Sequence, residues 1–209
     1  MRTTRLYPVS LRIDGAPCLV VGGGSVALRK VRGLIAAGAR VRVVSPELPR
    51  RPSGVAWAKR RFRPADVRGM SLVFAATDDP GVNIAVAEAC RREGVPVNVA
   101  DAPHLCTFQV PSVVRRGALT LAVSTGGASP ALARRLKRRL SDLVAVGYDR
   151  LAAEIGRLRH RAMEQVPDPD VRRRLLRKLA SDEVLSRLER TGFASAKQAL
   201  RRIWTEAAR

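Results

Sequence analysis

The segment Cys18-Leu19-Val20-Val21 runs straight into Gly22-Gly23-Gly24-Ser25-Val26-Ala27. A short β-branched run, a GxGxxA turn and then helix-forming residues are what a diphosphate-binding βα unit requires. Gly22 permits the tight turn, Gly24 lets the backbone approach a pyrophosphate, and Ala27 is small enough for close helix–strand packing. The free N–H groups of Ser25 and Val26 at the start of the helix would meet the phosphates. The next β-branched run, Val41-Arg42-Val43-Val44, leads into Ser45-Pro46-Glu47. An acidic residue after the second strand binds a ribose 2′-hydroxyl and repels a 2′-phosphate, so Pro46 and Glu47 point to NAD rather than NADP. Arg42 and Arg50 stand close by, and Glu47 also fits an ordinary solvated loop position. A third apolar run ends in Thr77-Asp78-Asp79-Pro80, where Thr77 would flank the cofactor crevice and one of the two aspartates would cap the helix that follows.

The elements that position these residues are legible from the hydrophobic pattern. Strands are expected at Cys18–Val21, Val41–Val44, Val55–Ala58, Leu72–Ala76, Val97–Val99, Thr107–Val110 and Leu119–Ser124. Each is short and apolar, as suits strands buried on both faces. Helices are expected at Ser25–Ala37 and Val82–Glu93, ending at Gly38 and Gly94. This order predicts an α/β fold, a Rossmann-like, doubly wound and mostly parallel sheet. A dimerisation region and a helical C-terminal domain are expected to follow, with boundaries 1–113, 114–146 and 147–209. The run Pro130–Val146 carries Leu132, Leu136, Leu140 and Val144 at a spacing of four, with Arg134, Arg135, Arg138 and Arg139 elsewhere on the helix. Pro167 and Pro169 are expected to split the remainder into two helical parts.

Composition narrows the function classes. The 209 residues are 46% hydrophobic and 27% charged, an ordinary globular balance. The N-terminal stretch lacks the apolar core of a secretion signal and no apolar run is long enough to span a bilayer, so the expected compartment is the cytosol and no membrane partner is expected. Three scattered cysteines, Cys18, Cys90 and Cys106, form neither a disulfide framework nor a metal-ligand cluster. The net charge is +21, and all but five of the 39 basic residues are arginine. Such a surface concentrates anionic partners.

Four segments in this order carry a resemblance: Gly22-Gly-Gly-Ser-Val-Ala-Leu-Arg-Lys30, Ala75-Ala-Thr-Asp-Asp79, Asn98-Val-Ala-Asp101-Ala-Pro103 and Ser124-Thr-Gly-Gly-Ala-Ser-Pro130-Ala-Leu-Ala-Arg134. The chain resembles the precorrin-2 dehydrogenase/sirohydrochlorin ferrochelatase module of siroheme synthases, closely from about Tyr7 to Leu140 and more loosely to the C-terminus. Ending at Arg209 without a methyltransferase domain, it looks like the stand-alone form.

The resemblance implies NAD-dependent oxidation of precorrin-2 to sirohydrochlorin. In some members ferrous iron is then inserted in the same cavity, as a transient substrate. It also implies a homodimer formed through the C-terminal half. Precorrin-2 carries eight carboxylates, which suits an arginine-rich protein. Asp101 matches the family's functionally important aspartate. Its carboxylate can take the proton that the oxidised macrocycle must lose, or the pyrrole N–H protons during metal insertion. An Asx turn before Pro103 is the structural alternative. His104 is the nearby histidine, and Cys106 fits a small buried position. In Thr125-Gly126-Gly127, the two glycine N–H groups and the threonine hydroxyl are candidates to bind a substrate carboxylate. Ser129 and Pro130 start the next helix.

Two other functions fit the same chain. One is an NAD(H)-binding regulator that contacts nucleic acid through the Arg134–Arg139 helix. With no DNA-reading motif in the sequence, no nucleic-acid partner is expected. The other is a different NAD-dependent dehydrogenase on the same fold.

Overall fold

The computed structural model describes residues 6–144 and 147–207. The expected boundary at 146 falls outside them. The chain divides into two compact units at Val110 and Pro111.

The first unit is built on five parallel strands, β1 (Pro17–Val21), β2 (Arg40–Val44), β3 (Ala56–Ala58), β4 (Leu72–Ala75) and β5 (Val97–Val99), in the order β3-β2-β1-β4-β5. Helix α1 (Ser25–Ile35) connects β1 to β2, and α2 (Pro80–Glu93) connects β4 to β5. Because side chains alternate along a strand, each strand feeds two cores. On one face Cys18, Val20, Val41, Val43, Leu72 and Phe74 pack with Ala27, Val31 and Leu34 of α1. On the other, Leu19, Val21, Val73, Ala75, Val97 and Val99 pack with Val86, Ala87 and Cys90 of α2. Each large side chain buried in this way stabilises the fold by roughly 1.5–3 kcal/mol. Both expected helices are present, and Gly94 caps α2 in the left-handed conformation. Burial raises the Cys18 thiol and pushes Cys90 to about 11, so both are packing groups rather than nucleophiles at neutral pH.

The strand expected at Thr107–Val110 is absent. That segment instead runs along the open edge of β5 and is tied to it mainly through side chains. The Thr107 N–H donates to the Val97 carbonyl at 2.9 Å, and the Val97 N–H donates to Thr107 Oγ1 at 2.8 Å. Phe108 packs edge-on against Phe74, with ring centroids 5.4 Å apart. The segment covers an edge that would otherwise expose unpaired backbone groups.

The second unit opens with an antiparallel hairpin of β6 (Ser112–Arg116) and β7 (Leu119–Val123), in register from Ser112 opposite Val123 to Arg116 opposite Leu119. The sequence reading missed β6, which buries only Val114 and owes its conformation to pairing with β7. Helix α3 (Pro130–Leu143) begins as expected: Ser129 Oγ accepts the Leu132 N–H and Pro130 occupies the first turn. Leu132, Leu136 and Leu143 are exposed, whereas Ala133 and Val144 are buried. The expected stripe is therefore divided, with Val144 turned into its own unit.

Four helices follow rather than two: α4 (Tyr148–Gln165), α5 (Pro169–Leu179), α6 (Asp182–Thr191) and α7 (Phe193–Ala207). Pro167 and Pro169 make the first break. A tight turn at Ala180–Ser181 makes the second, and Gly192 makes the third with φ near +86°. Leu151, Leu179, Leu188, Leu200 and Trp204 are among the side chains that share the resulting core. None of the described helices is long and apolar enough to cross a membrane.

One buried charge stabilises the first unit. Asp66 accepts from both terminal nitrogens of Arg60, at 2.6 and 2.8 Å, and from the Arg63 N–H at 2.9 Å. The Arg60 guanidinium holds its carboxyl below the ordinary 3.8, helped by the Arg63 N–H and opposed by burial. Asp66→Ala is expected to lower the unfolding free energy by about 2 kcal/mol, as read by urea denaturation at neutral pH. A carboxyl depressed by folding stabilises the fold above its unfolded pKa and loses that contribution as pH falls through the folded one. The gap between variant and parent should therefore be full at neutral pH and shrink below about pH 3.8.

Candidate active site

The strand order reverses direction between β1 and β4, which opens a crevice at the carboxyl edge of the sheet. The first residues of the crevice are set by backbone packing. Gly22 has φ near +119°, and a Cβ there would stand 2.3 Å from the Ala76 carbonyl oxygen. A Cβ at Gly23 would stand 1.9 Å from the Glu47 carbonyl oxygen. Gly23 is thus as constrained as Gly22, although the GxGxxA pattern assigns it nothing. At Gly24 the opposite holds: a Cβ would meet nothing within 4 Å. Gly24 is the N-cap of α1, with no side-chain cap and no acidic residue in the first turn. The N–H groups of Ser25 and Val26 therefore open onto unfilled space at the positive end of the helix dipole. This cradle fits a dinucleotide diphosphate.

The Ser45-Pro46-Glu47 turn is fastened beside the glycines. Ser45 Oγ donates to the Glu47 carbonyl at 2.6 Å, and Trp57 Nε1 donates to the Ser45 carbonyl at 3.0 Å. Pro46 and Glu47 are exposed at the carboxyl end of β2. Thr77 stands at the carboxyl end of β4 and is clamped by Asn83. The Thr77 N–H donates to Asn83 Oδ1 at 3.2 Å, and Asn83 Nδ2 returns a bond to the Thr77 carbonyl at 3.0 Å. Asn83 is buried, and the sequence reading missed its role. Of the two aspartates, Asp79 is the cap, accepting the Gly81 and Val82 N–H groups.

Asp101 follows β5 at the same edge. It is exposed, and its φ of +57° is the sole positive value at a non-glycine residue among those described. The Asx turn weighed as its structural alternative is missing. The short 3-10 turn Pro103–Leu105 is capped by Ala102 without a side-chain bond. The Asp101 carboxylate makes no hydrogen bond among the described residues. A strained conformation that serves no local bond is characteristic of a functional position. His104 is exposed in the 3-10 turn. Cys106 is more than filler: its Sγ accepts the Val99 N–H at 3.1 Å and lies 3.3 and 3.5 Å from the Val99 and Ala102 carbonyl oxygens. It holds the Asp101 loop onto the end of β5.

Gly22, Gly24, Ser25, Val26, Pro46, Glu47, Thr77 and Asp101 thus share one edge of one sheet. Thr125, Gly126 and Gly127 belong to the second unit, in the turn between β7 and α3. One detail there corrects the sequence reading: the Gly126 N–H is not free, because it donates to Ser124 Oγ at 3.2 Å. Thr125 Oγ1 accepts the Ser129 N–H at 3.0 Å and keeps its own proton to donate. Of the two glycine N–H groups, only that of Gly127 has no partner among the described residues. No group of three or more His, Cys, Asp or Glu side chains gathers among the described residues.

Comparison with known proteins follows the same divisions. Residues 9–112 match the family described as putative NAD(P)-binding. Residues 116–143 match the sirohaem biosynthesis protein central region, and residues 147–203 the sirohaem synthase dimerisation region. The chain is 44% identical over 184 residues to a siroheme synthase of Thioalkalivibrio sulfidiphilus, covering 85% of this chain and 38% of that protein. It is 50% identical over 152 residues to a siroheme synthase of Methylobacillus flagellatus, covering 70% of this chain and 32% of that one. The chain therefore spans less than half the length of these relatives. Among solved structures, SirC, a precorrin-2 dehydrogenase, superimposes with a TM-score of 0.78 at 26% identity, covering 96% of this chain and 100% of that one. With three consecutive regions matched in order and the fold shared end to end, the chain belongs to the siroheme synthase family, in the part that carries its NAD(P)-binding, central and dimerisation regions.

Proposed function

We propose that the chain binds NAD+ and oxidises precorrin-2 to sirohydrochlorin, with Asp101 as the base. Asp101 is the observation that carries this reading. An exposed carboxylate, with no hydrogen bond of its own, is held in a rarely populated conformation at the carboxyl edge where the cofactor crevice opens. Full-length similarity to a precorrin-2 dehydrogenase supports the same substrate.

In this reading the N–H groups of Ser25 and Val26 take the cofactor diphosphate, with Gly24 leaving room for it. Glu47 accepts from the ribose hydroxyls, and its charge disfavours a 2′-phosphate. Thr77, fixed by Asn83, closes the β4 side of the crevice. When bound, NAD+ supplies the hydride acceptor. Precorrin-2 gives up one hydride and one proton, and Asp101 receives the proton as the macrocycle regains conjugation. The reaction balances as precorrin-2 and NAD+ going to sirohydrochlorin, NADH and H+. Ferrous iron is a second substrate in this reading, with Asp101 taking pyrrole protons as the metal enters. The Gly127 N–H and the Thr125 hydroxyl offer donors to a substrate carboxylate, and the arginine-rich surface offers more.

The functional unit in this reading is a cytosolic homodimer. The exposed Leu132, Leu136 and Leu143 of α3 form an apolar face that a second copy would cover, and the match of residues 147–203 to a dimerisation region supports a homodimer. Sedimentation should give a dimer at micromolar concentration, and Leu136→Asp should shift it to a folded monomer. A monomeric parent protein would remove the assignment.

Anaerobic incubation with precorrin-2 and NAD+ should produce NADH and the sirohydrochlorin spectrum in equal amounts. In this assay Asp101→Asn should lower turnover by ~10²-fold or more, the scale of a positioned base, with NAD+ affinity nearly unchanged. Asparagine tolerates the left-handed backbone, so the fold is kept. Near-normal oxidation by this variant would deny Asp101 the role.

Gly24→Asp places a negative side chain in the empty space above the α1 N-terminus. It should abolish NAD+ binding, measured by calorimetry, while the melting temperature stays near that of the parent. Retained NAD+ affinity in the folded variant would move the cofactor elsewhere.

A further inference from the structure

Lys30 closes the first motif, and the cofactor does not account for it. It lies on α1, beyond the reach expected for the diphosphate, and is half-buried over the sheet face that α1 covers. Its ammonium sits 5.3 Å from the centre of the Phe74 ring and donates to Asn98 Oδ1 at 3.3 Å. Asn98 is a buried polar residue in the otherwise apolar strand β5. It passes the connection on: its Nδ2 donates to the Phe108 carbonyl at 3.1 Å and approaches Cys106 Sγ at 3.6 Å. Cys106 in turn is bonded to the backbone at Val99 and faces the Ala102 carbonyl. An unbroken polar chain therefore runs from the helix that begins at the cofactor loop to both ends of the loop bearing Asp101.

We infer that Lys30 is a positioning residue for Asp101, holding the 100–108 loop through Asn98 and coupling its charge to the carboxylate across that loop. The catalytic consequence rests on the reading of Asp101 as base; the connection of Lys30 to the loop through Asn98 does not. Burial and three charged or ionisable groups act on the Lys30 ammonium. Burial lowers it from the ordinary 10.5, and Arg29 on the same helix lowers it further, whereas Cys106 and Asp101 pull it back up. Lysine suits this position because its stem packs along Phe74 while a single compact charge reaches the loop.

Two measurements test the inference. In protein carrying 15N-labelled lysine, the Lys30 ammonium should titrate at lower pH in Asp101→Asn than in the parent, because the carboxylate that supports its charge is gone. The other four lysines should not move. Identical Lys30 titration in the two proteins would overturn the inference, whatever Asp101 does in catalysis.

The second measurement is a double-mutant cycle on precorrin-2 oxidation. Lys30→Met should lower kcat about tenfold with NAD+ affinity unchanged, and Lys30→Arg should recover most of the loss. Added to Asp101→Asn, the same Lys30→Met change should cost less than about twofold, because its partner is already absent. An equal loss in both backgrounds would make Lys30 a packing residue and overturn the inference. If Asp101→Asn shifts the Lys30 titration yet oxidises precorrin-2 normally, the positioning contact stands and the base reading fails.

Discussion

No atom can be added at Gly22 or Gly23, and most of the first unit follows from that. Their backbone passes so close to the Ala76 and Glu47 carbonyls that the end of β1 is held directly against the segments that follow β4 and β2. Helix α1 must then start at Gly24, with its N-terminus open, and must cross the sheet at a fixed height. The height sets which face of α1 lies over Phe74 and Asn98. The bare helix N-terminus and the half-buried Lys30 are thus two consequences of one close approach. The interaction is steric rather than attractive, so its strength does not depend on salt or pH.

The polar residues of this unit are spent where strands end. Asn83 clamps Thr77 after β4, Ser45 folds the turn after β2 back beside the glycines, and Asn98 with Cys106 fastens the loop after β5. Each is buried or half-buried and fully engaged, so each fixes a geometry at little desolvation cost. The carboxyl edge is thereby made rigid while the side chains that face outward from it, Glu47 and Asp101, make no such bonds. In the proposed reading, a site that accepts a large polyanion and a dinucleotide gains from this division, since the donors and acceptors it needs are not consumed by the protein itself.

The second unit solves a different problem. Its four C-terminal helices close a core around Leu179, Leu188 and Leu200, whereas the leucines of α3 stay largely outside it. Abundant arginine on the remaining surface keeps such a chain soluble, and also makes nearly any face attractive to carboxylates, so charge alone does not mark a substrate contact. The turn between β7 and α3 narrows the choice, with a Gly127 N–H that has no partner among the described residues and a hydroxyl proton at Thr125.

What the sequence determined by itself was local. The βαβ order, the glycine loop, the caps Asp79 and Ser129, and the stop at Gly94 each depend on residues within a turn of one another, so pattern and chemistry suffice to find them. The four motifs did the same for the family, because each is a short run of residue types read within one local window. Tertiary structure decided everything that depends on residues distant in the chain. The segment Thr107–Val110 has strand-forming residues but caps an edge, because the backbone groups it must satisfy belong to β5. Ser112–Arg116 became a strand through its partner β7. The helical tail broke twice more than its prolines require, at a turn and a glycine that its packed core selects. Gly126 lost its N–H to Ser124. Asp101 showed its strained backbone, and Lys30 its place above Asn98, only once α1 and β5 were brought together across 68 residues. No local window holds both partners of such a contact, and the fold alone brings them together.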